Sequence, residues 1–404
     1  MTQEIPGTLL LDRNVIDDPY PFYRQLRQRA PVWRVPGTEV FTVSSFALLE
    51  EAARRVEDFS SNMRCLLYRD ENGLPARLPF GDVSVQALAT ADPPIHTVHK
   101  KTVFPEFVAR RMALLEPEIV EIASGCVERA LEAPNADFMA LVGNRVPITV
   151  VSRLIGFRNS DLDRLLQAAF DSTELVGSTL TLGRLQELVA RSGDIGAWIA
   201  GQLALADQEP GEDILTSIGR GVKTGAIGAR EGIIIMHTLL SAGGESTTSL
   251  LGNAVRMLAD DPDLQQNLRQ HPDLIPAFME EALRLESPFR SMLRSVPGDT
   301  TLGGIDIPAG ATVLMLWSAG NRDPDAFENP DEIALGRPLR HMTFGRGIHF
   351  CVGAPLARLE GRIVLTELLA RTSSITLDPD QPPEWVESLQ VRRYERLPVR
   401  LIPR

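Results

Sequence analysis

The chain is poor in cysteine, in basic residues and in long apolar runs, and each shortage excludes a class of protein. Three cysteines in 404 residues do not resemble the disulfide framework of a secreted domain, so we expect a reducing compartment, the cytoplasm. The formal net charge of -12 differs from the basic surface that nucleic-acid binding requires. The N-terminal stretch MTQEIPGTLLLDRNVIDDPY lacks a signal-peptide core and the ~20 apolar residues of a membrane span. We therefore expect no nucleic-acid partner and no membrane anchor.

The chain also lacks internal repeats and long Ser/Gly linkers, so residues 1–404 are expected to form a single domain. Helical periodicity dominates, and strand-like segments are confined to Pro31–Val43, Ala311–Trp317 and Leu397–Pro403. The longest periodic segment runs from about Ala229 to Leu258 and is apolar on several faces. Its Gly243-Gly244 pair predicts a weak point in the middle. The expected fold class is mainly α with small β-sheets.

A helix is predicted to begin at Asp92–Pro94, with the aspartate capping free N–H groups and a proline at the first helical position. This helix carries His96, His99 and Lys100. The preceding stretch, from about Asp58 onward, is rich in Asn, Gly, Pro and Asp and predicts a long loop. A long loop in a compact domain is usually functional or mobile.

Three features that suggest chemistry are better explained structurally. IGRGVKTG (Ile218–Gly225) lacks the Gly-Lys-Ser/Thr of a phosphate loop and predicts an interhelical turn. His96 and His99 have no carboxylate or cysteine nearby at zinc-site spacing, so we expect no metal there. Cys126 falls on the apolar face of a predicted helix and is expected in the core.

Cys351 differs from the other cysteines because it lies in a glycine-rich loop, FGRGIHFCVG (Phe344–Gly353). The segment after it has helical periodicity and is predicted to begin a helix at the cysteine, where partial positive charge favours a thiolate. The glycines remove side chains around the sulfur, so a flat ligand can approach it. Two other interpretations remain open at this point: a buried structural cysteine, and a nucleophile with His349 as its base.

FGRGIHFCVG resembles the haem-binding loop of cytochromes P450, the haem-thiolate monooxygenases, whose pattern is Phe-Gly-x-Gly-x-His-x-Cys-x-Gly. The resemblance extends over nearly the whole chain, in the family's order. DPPIHTVHKK resembles the helix that meets the haem propionates, and AGGEST (Ala242–Thr247) resembles the oxygen-activating segment of the central helix. Glu281 and Arg284, which alone would be an ordinary surface pair, match the family's Glu-x-x-Arg motif, and PDEIALGR matches its meander with Arg337. The resemblance implies the P450 fold of the soluble bacterial branch, with a long central helix across the haem.

By this resemblance the cofactor is haem b, with Cys351 as the iron ligand. The other residues implied in cofactor binding are His96, Lys100, Arg294, Phe344, Gly345, His349 and Gly353. The basic ones among them would neutralise the haem propionates. Lys100 departs from the usual arginine and offers a point charge in place of a two-pronged donor. Glu281, Arg284 and Arg337 are expected to form a buried structural network.

The resemblance also implies a catalytic pair, Glu245 and Ser246, which matches the family's acid-alcohol pair. The hydroxyl and the carboxylate would relay protons to reduced dioxygen, so that one oxygen atom leaves as water. Ser246 departs from the usual threonine and lacks the methyl group that restrains the side chain. Thr247 follows immediately and is the alternative source of the hydroxyl.

The expected function is a monooxygenase that inserts one atom of dioxygen into an apolar small molecule. No Gly-x-Gly-x-x-Gly segment indicates a flavin or nicotinamide module, so a separate ferredoxin and ferredoxin reductase are expected to supply electrons. The expected docking face lies near Cys351 and carries Arg346, Arg358 and Arg362. One alternative is a haem-thiolate enzyme with other chemistry, such as peroxide-driven oxidation or isomerisation. The other is a haem carrier or sensor, which would not need the Glu245-Ser246 relay.

The walls of the substrate pocket are expected to be mostly apolar. They are predicted from the segments 62–88, 168–182, 237–244 and 288–293 and from the stretch near Leu389. Arg290 is either an anchor for a polar group of the substrate or an outward-facing side chain. The sequence does not identify the substrate.

Overall fold

Helices make up most of the protein, for which a computed structural model describes residues 4–81, 85–133, 135–338 and 340–404. Within these ranges the α-helices are α1 (Arg13–Asp17), α2 (Tyr20–Arg29), α3 (Phe46–Arg54), α4 (Ile95–Val103), α5 (Ala109–Glu132), α6 (Arg145–Ile155), α7 (Leu162–Val176), α8 (Leu182–Gln208), α9 (Ile214–Lys223), α10 (Ala229–Asp260), α11 (Pro262–Gln270), α12 (Ile275–Leu285), α13 (Trp317–Gly320) and α14 (Ala354–Arg371). None of these described helices combines the length and apolar character needed to span a membrane.

The strands are short and form small sheets. They are β1 (Val32–Arg34), β2 (Val40–Val43), β3 (Cys65–Arg69), β4 (Pro75–Pro79), β5 (Ala136–Asp137), β6 (Met292–Ser295), β7 (Thr300–Leu302), β8 (Ile305–Ile307), β9 (Thr312–Met315), β10 (Thr372–Leu377), β11 (Glu384–Trp385), β12 (Tyr394–Arg396) and β13 (Pro398–Pro403). A four-stranded sheet has the order β1-β2-β9-β6, and β10-β13-β5 form a second sheet. β3-β4, β7-β8 and β11-β12 are two-stranded. The predicted class, mainly α with small sheets, is confirmed, and each predicted strand segment contains at least one strand.

Helix α10 crosses the core and packs against α6, α7, α8 and α14. It is continuous through Gly243-Gly244, where the sequence predicted a weak point. The two glycines instead permit close packing: a Cβ on Gly243 would lie 2.6 Å from Val151 Cγ2, and one on Gly244 would lie 3.2 Å from Ile148 Cδ1. The pair therefore lets α6 approach α10 closely.

Helix α4 begins at Ile95, and Asp92 does not cap it as predicted. The Asp92 carboxylate instead accepts hydrogen bonds from the Ser60 hydroxyl and from the Ser61 N–H at 2.9 Å. The aspartate thus fastens the chain before α4 to the segment after α3. His96, His99 and Lys100 lie on α4, as predicted.

The long loop predicted after Asp58 contains a hairpin, β3-β4, although residues 82–84 of the stretch lie outside the described residues. Cys65 is buried in β3, with its sulfur 3.5 Å from Thr312 Oγ1. The Arg69 N–H donates to the Leu180 carbonyl at 2.8 Å, and the Arg69 guanidinium pairs with Glu387. The hairpin is therefore bonded to the connection between α7 and α8 and to the C-terminal region.

The apolar core consists of three clusters of buried side chains. The largest surrounds α10 and includes Cys126 of α5, in agreement with the prediction for that cysteine. A second lies between the four-stranded sheet and α3. The third joins the N-terminal helices to β3 and to Leu389. This core holds α10, β6 and the start of α14 in fixed positions.

Candidate functional site

The loop before Cys351 is shaped by glycines. Gly345 and Gly347 have φ values of +71° and +68°, which side-chain-bearing residues rarely adopt. A Cβ on Gly347 would also lie 2.9 Å from the Ala53 carbonyl oxygen. The Cys351 N–H donates to the Phe344 carbonyl at 2.9 Å and closes the loop. Helix α14 begins at Ala354, so the prediction that it begins at the cysteine is slightly displaced.

The Cys351 sulfur is enclosed by protein, yet its side chain remains accessible. Burial raises the pKa of the thiol, whereas hydrogen bonds from the backbone N–H groups of Gly353 and Ala354 lower it, as do the charges of Lys100 and Arg358. The exposed side chain is open to a ligand, and the neighbouring N–H groups and positive charges favour the thiolate form that would bind a metal.

Four basic side chains from three elements meet beside this loop: His96, Lys100, Arg294 and His349. The imidazoles of His96 and His349 are 4.3 Å apart between ring centroids. Lys100 Nζ donates to the carbonyls of Ile348 at 2.5 Å and Phe350 at 3.2 Å. Arg294 lies on β6, and burial lowers its pKa to about 10. The structure thus brings together the four predicted basic residues.

This basic group carries positive charge without a matching anion. Burial, followed by the charges of Arg294, His96 and Lys100, lowers the pKa of His349 to about 3. His349 Nε2 is buried and has no hydrogen-bond partner. Among the residues that the structure describes, no carboxylate forms an ion pair with any of the four. The site therefore suits a group that brings its own carboxylates next to the Cys351 loop.

On α10, Ala242 is exposed although most residues around it are buried. The Ser246 hydroxyl, one turn later, is partly exposed and donates to the Ala242 carbonyl at 2.6 Å. Thr247 is only 2% exposed, and the next residue, Thr248, donates to the carbonyls of Gly143 and Gly244. Of the two hydroxyls considered for the relay, that of Ser246 lies on the accessible side of the helix.

Glu245 points to the opposite side and is only 1% exposed. Its carboxylate pairs with Arg393 Nε at 2.8 Å and accepts a hydrogen bond from the Thr173 hydroxyl at 2.9 Å. Arg393 also contacts Glu395, whose side chain is 59% exposed. The contacts of Glu245 with Arg393 and Thr173 could not be predicted from the sequence, because the two residues lie 148 and 72 positions away from Glu245.

Glu281 and Arg284 form a buried bidentate ion pair on α12, with N–O distances of 2.7 and 2.8 Å. Arg284 NH1 donates to the Asn321 carbonyl at 3.1 Å, and Arg337 Nε lies 3.3 Å from Glu281 Oε2. These contacts match the network that the resemblance implied. Spacing alone would describe an exposed surface pair, but both side chains are buried.

A second network, missed from the sequence, joins α12 to α14. Glu280 accepts from Arg358 at 2.6 and 2.9 Å and lies 2.9 Å from His341 Nε2. Although burial raises the pKa of Glu280, these two partners lower it to about 2. Arg358 also lies over the ring of Phe344, 4.6 Å from its centroid. Through the contact between Arg358 and Phe344, this network is connected to the Cys351 loop.

Arg290 neither anchors a ligand in an open pocket nor faces outward, the two possibilities left by the sequence. It is 1% exposed and donates to the carbonyls of Ile16 at 2.6 Å and of Ser388. A cavity of about 240 Å³ lies between α7, α8 and α10, with Leu175 and His237 among its lining residues. Its lining residues include members of two segments that were predicted to form pocket walls, 168–182 and 237–244.

Comparison with known proteins assigns the fold and the site to one family. The cytochrome P450 family model matches residues 230–392. Cytochrome P450 144 of Mycobacterium tuberculosis is 38% identical over 387 residues, which cover 95% of this chain and 88% of that protein. The β-dihydromenaquinone-9 ω-hydroxylase of Mycobacterium bovis is 31% identical over 398 residues, which cover 97% of this chain and 78% of that protein.

Solved structures agree with this assignment. CYP109E1 from Bacillus megaterium, in complex with testosterone, superposes with a TM-score of 0.86 at 27% identity, covering 96% of this chain and 99% of that one. Cytochrome P450 CREJ, in complex with (4-ethylphenyl) dihydrogen phosphate, has a TM-score of 0.87 at 27% identity, with coverage of 96% and 98%. Proteins of this family bind haem b through a cysteine thiolate, and an accessible thiol beside basic groups that lack an anion fits that cofactor. The chain belongs to the cytochrome P450 family of haem-thiolate monooxygenases.

Proposed function

We propose that this monooxygenase inserts one oxygen atom into an apolar small molecule in the cytoplasm, with electrons from a separate ferredoxin and its reductase. The observation that carries the proposal is the exposed Cys351 thiol, which lies in a glycine-shaped loop beside the basic side chains of His96, Lys100 and His349. The three cysteines are free thiols, which suits a reducing compartment.

Cys351 would hold the haem iron, Lys100 and Arg294 would neutralise the haem propionates, and His96 and His349 would donate hydrogen bonds to them. When bound through a thiolate, the haem would supply the activation and cleavage of dioxygen. Lys100 donates to two loop carbonyls, so it would steady the loop as well as add charge. The partnerless Nε2 of His349 supports its role as a donor to a propionate.

Ser246 and Glu245 would move protons in two stages. The Ser246 hydroxyl lies on the accessible side of α10 and can exchange its bond to the Ala242 carbonyl for one to a nearby acceptor. Glu245 would take up protons on the other side, where Arg393 connects it to the exposed Glu395. Arg393 and Thr173 hold the Glu245 carboxylate in place on that side.

An apolar substrate is supported by the side chains of the segments proposed to form the pocket. The exposed Ala242 offers no polar group, and Leu293 and Leu389 are buried apolar residues of neighbouring segments. The similar CYP109E1 was solved with testosterone, itself an apolar molecule. With Arg290 bonded to backbone carbonyls, no charged anchor from that position reaches the substrate.

The proposed ferredoxin would dock on the face formed by α5, α12 and α14. A groove of about 370 Å³ there includes Arg358 and Arg362, next to Leu114, whose side chain is 65% exposed. Arg358 pairs with Glu280, and Arg362 pairs with Glu116, so the positive charge of this face is partly offset. We therefore propose apolar contacts as well as charge in this interface.

The experiment that tests the proposal is the absorption spectrum of the dithionite-reduced protein with carbon monoxide. The wild type should show the thiolate signature, and Cys351→Ser should lose it, because serine is a poor substitute for a thiolate. Cys65→Ser, at another cysteine that is buried in β3, should keep the signature. Persistence of the signature in Cys351→Ser would refute the assignment of the ligand. Turnover with reduced ferredoxin but not with peroxide alone would support the proposed electron source.

A further inference from the structure

Arg290 is a buried cation without a carboxylate partner. Its side chain is among the largest fully buried ones of the protein, in the segment between α12 and β6. Two backbone carbonyls, of Ile16 and Ser388, accept from its terminal nitrogens, while Nε is buried and has no partner. Among the described residues no acidic group forms an ion pair with it. Arginine stays protonated in proteins, so this charge persists.

The carboxylates of this region pair with other arginines. Glu286, which is partly buried, accepts from Arg322 at 3.1 Å and from Arg392 at 3.0 Å. Asp17, next to Ile16 in the chain, pairs with Arg13 at 3.0 Å through one oxygen, and its other oxygen is buried without a hydrogen bond. The region therefore holds three guanidinium groups, those of Arg290, Arg322 and Arg392, around the partly buried Glu286 carboxylate.

Two other buried donors near Arg290 also lack partners. The Tyr23 hydroxyl is buried without a hydrogen bond, and its helix, α2, packs against α13, which carries Ser318. The Ser318 hydroxyl is likewise partnerless, and the Ser318 N–H donates to the Arg290 carbonyl at 3.1 Å. Burial raises the pKa of Tyr23, so its hydroxyl remains a donor at neutral pH.

We propose that Arg290 Nε and the Tyr23 hydroxyl, with the Ser318 hydroxyl beside them, bind a small monatomic anion of the halide class, such as chloride. A bridging water molecule would satisfy the donors but would leave the buried charge uncompensated, whereas an anion does both. A larger anion does not suit donors that are fully enclosed by protein.

The position of this site gives the anion a structural role. Arg290 connects α1 through Ile16, the C-terminal region through Ser388, and the segment that leads to Arg294 on β6. An anion that neutralises Arg290 would stabilise this junction. The site is separate from the Cys351 loop and does not depend on the proposed substrate or electron donor.

The test is the thermal unfolding midpoint of the haem-loaded enzyme in sodium chloride, sodium bromide and sodium gluconate at equal ionic strength, so that general screening is constant. Chloride and bromide should raise the midpoint by about 3 °C over gluconate. Arg290→Gln removes the charge and should abolish the difference. Tyr23→Phe removes one donor and should reduce it, whereas Tyr394→Phe, a buried tyrosine against Gly252, should retain it.

A crystal of the haem-loaded enzyme soaked in bromide gives a direct measurement. An anomalous bromide peak beside Arg290 Nε and the Tyr23 hydroxyl, together with the halide-dependent midpoint, would establish the site. Equal midpoints in all three salts, or a water molecule or a carboxylate at that position, would overturn the proposal.

Discussion

At the scale of single residues, the two sides of α10 divide the proposed proton relay. Ser246 lies on the accessible side and Glu245 on the buried side, where Arg393 and Thr173 hold its carboxylate. Neighbouring residues on a helix point about 100° apart, so the acid and the alcohol face different surroundings. In the proposed relay the hydroxyl would meet the reacting oxygen, and the acid would supply it with protons.

Ser246→Ala should uncouple the enzyme. Loss of the hydroxyl leaves reduction of dioxygen possible but removes a proton donor, so reductant is consumed with more hydrogen peroxide and less product. NADH or NADPH consumed, peroxide released and product formed are measured with ferredoxin and reductase present. Ser246→Thr, which keeps the hydroxyl and restrains it, should couple at least as well as the wild type. Coupling unchanged in Ser246→Ala would transfer the role to Thr247 or to ordered water.

The residues of the site differ in how far the sequence could predict them. The loop motif and the family resemblance identify Cys351, His349 and Arg294 as candidate residues for cofactor binding. Arg393 could not be predicted, because its contact with Glu245 depends on how the C-terminal segment packs over α7. The burial of Glu281 and Arg284 is likewise a property of packing, since the same spacing describes an exposed pair.

At the scale of elements, glycines set how closely helices approach. Gly243 faces Val151 of α6, and the 2.6 Å clearance leaves no room for a methyl group. The sequence predicted a weak point in α10 because glycine has low helix propensity, and the packing of α6, α7 and α14 around the continuous helix outweighs that preference.

Gly243→Ala should destabilise the protein by about 1–2 kcal/mol, because the overpacking cost exceeds the gain in helix propensity. Gly193→Ala on α8, where a Cβ meets nothing within 4 Å, should stabilise it by up to about 1 kcal/mol. Denaturant unfolding of the haem-loaded protein measures both. The double variant Gly243→Ala/Val151→Ala should recover part of the loss from overpacking. Equal effects of the two glycine substitutions would contradict close packing at Gly243.

The β3-β4 hairpin shows why one element was missed. Asn, Gly, Pro and Asp residues predicted a loop, and they do form a turn, in which the Asp70 carboxylate accepts from the N–H groups of Asn72 and Leu74. The flanking residues pair over five positions on each side, from Cys65 with Pro79 to Arg69 with Pro75. A strand that begins and ends in proline and carries an arginine is not recognisable from local preference alone.

At the scale of the whole molecule, ion pairs between distant elements tie stability to pH. Arg358 and His341 hold the pKa of Glu280 at about 2, below the value of about 4.5 in an unfolded chain. A lowered carboxylate pKa adds stability that is present above about pH 4.5 and is lost as the pH falls through about 2.

Arg358→Gln should lower the free energy of unfolding at neutral pH by about 2 kcal/mol and should flatten its decline between about pH 4.5 and pH 2. Arg362→Gln, on the same helix, removes a pair with Glu116 whose side chains are 39% and 43% exposed, and should change little. Denaturant titrations at several pH values measure both. A similar loss in the two variants would mean that the Glu280 pair contributes no more than a surface pair.

The bonds around the hairpin also have a kinetic consequence. Three of the segments proposed as pocket walls are fastened to one another: the Arg69 N–H to Leu180, the Thr179 hydroxyl to the Glu387 carbonyl at 2.8 Å, and the Leu389 N–H to Gly177 at 2.8 Å. A substrate that enters here must wait until these bonds open. In rapid mixing, the observed rate of the substrate-induced change in the haem spectrum should therefore level off at high substrate concentration, at the opening rate. Thr179→Val should raise that plateau, while Thr224→Val, at the end of α9, should not. A rate that rises linearly without limit would instead describe a pocket that stands permanently open to its substrate.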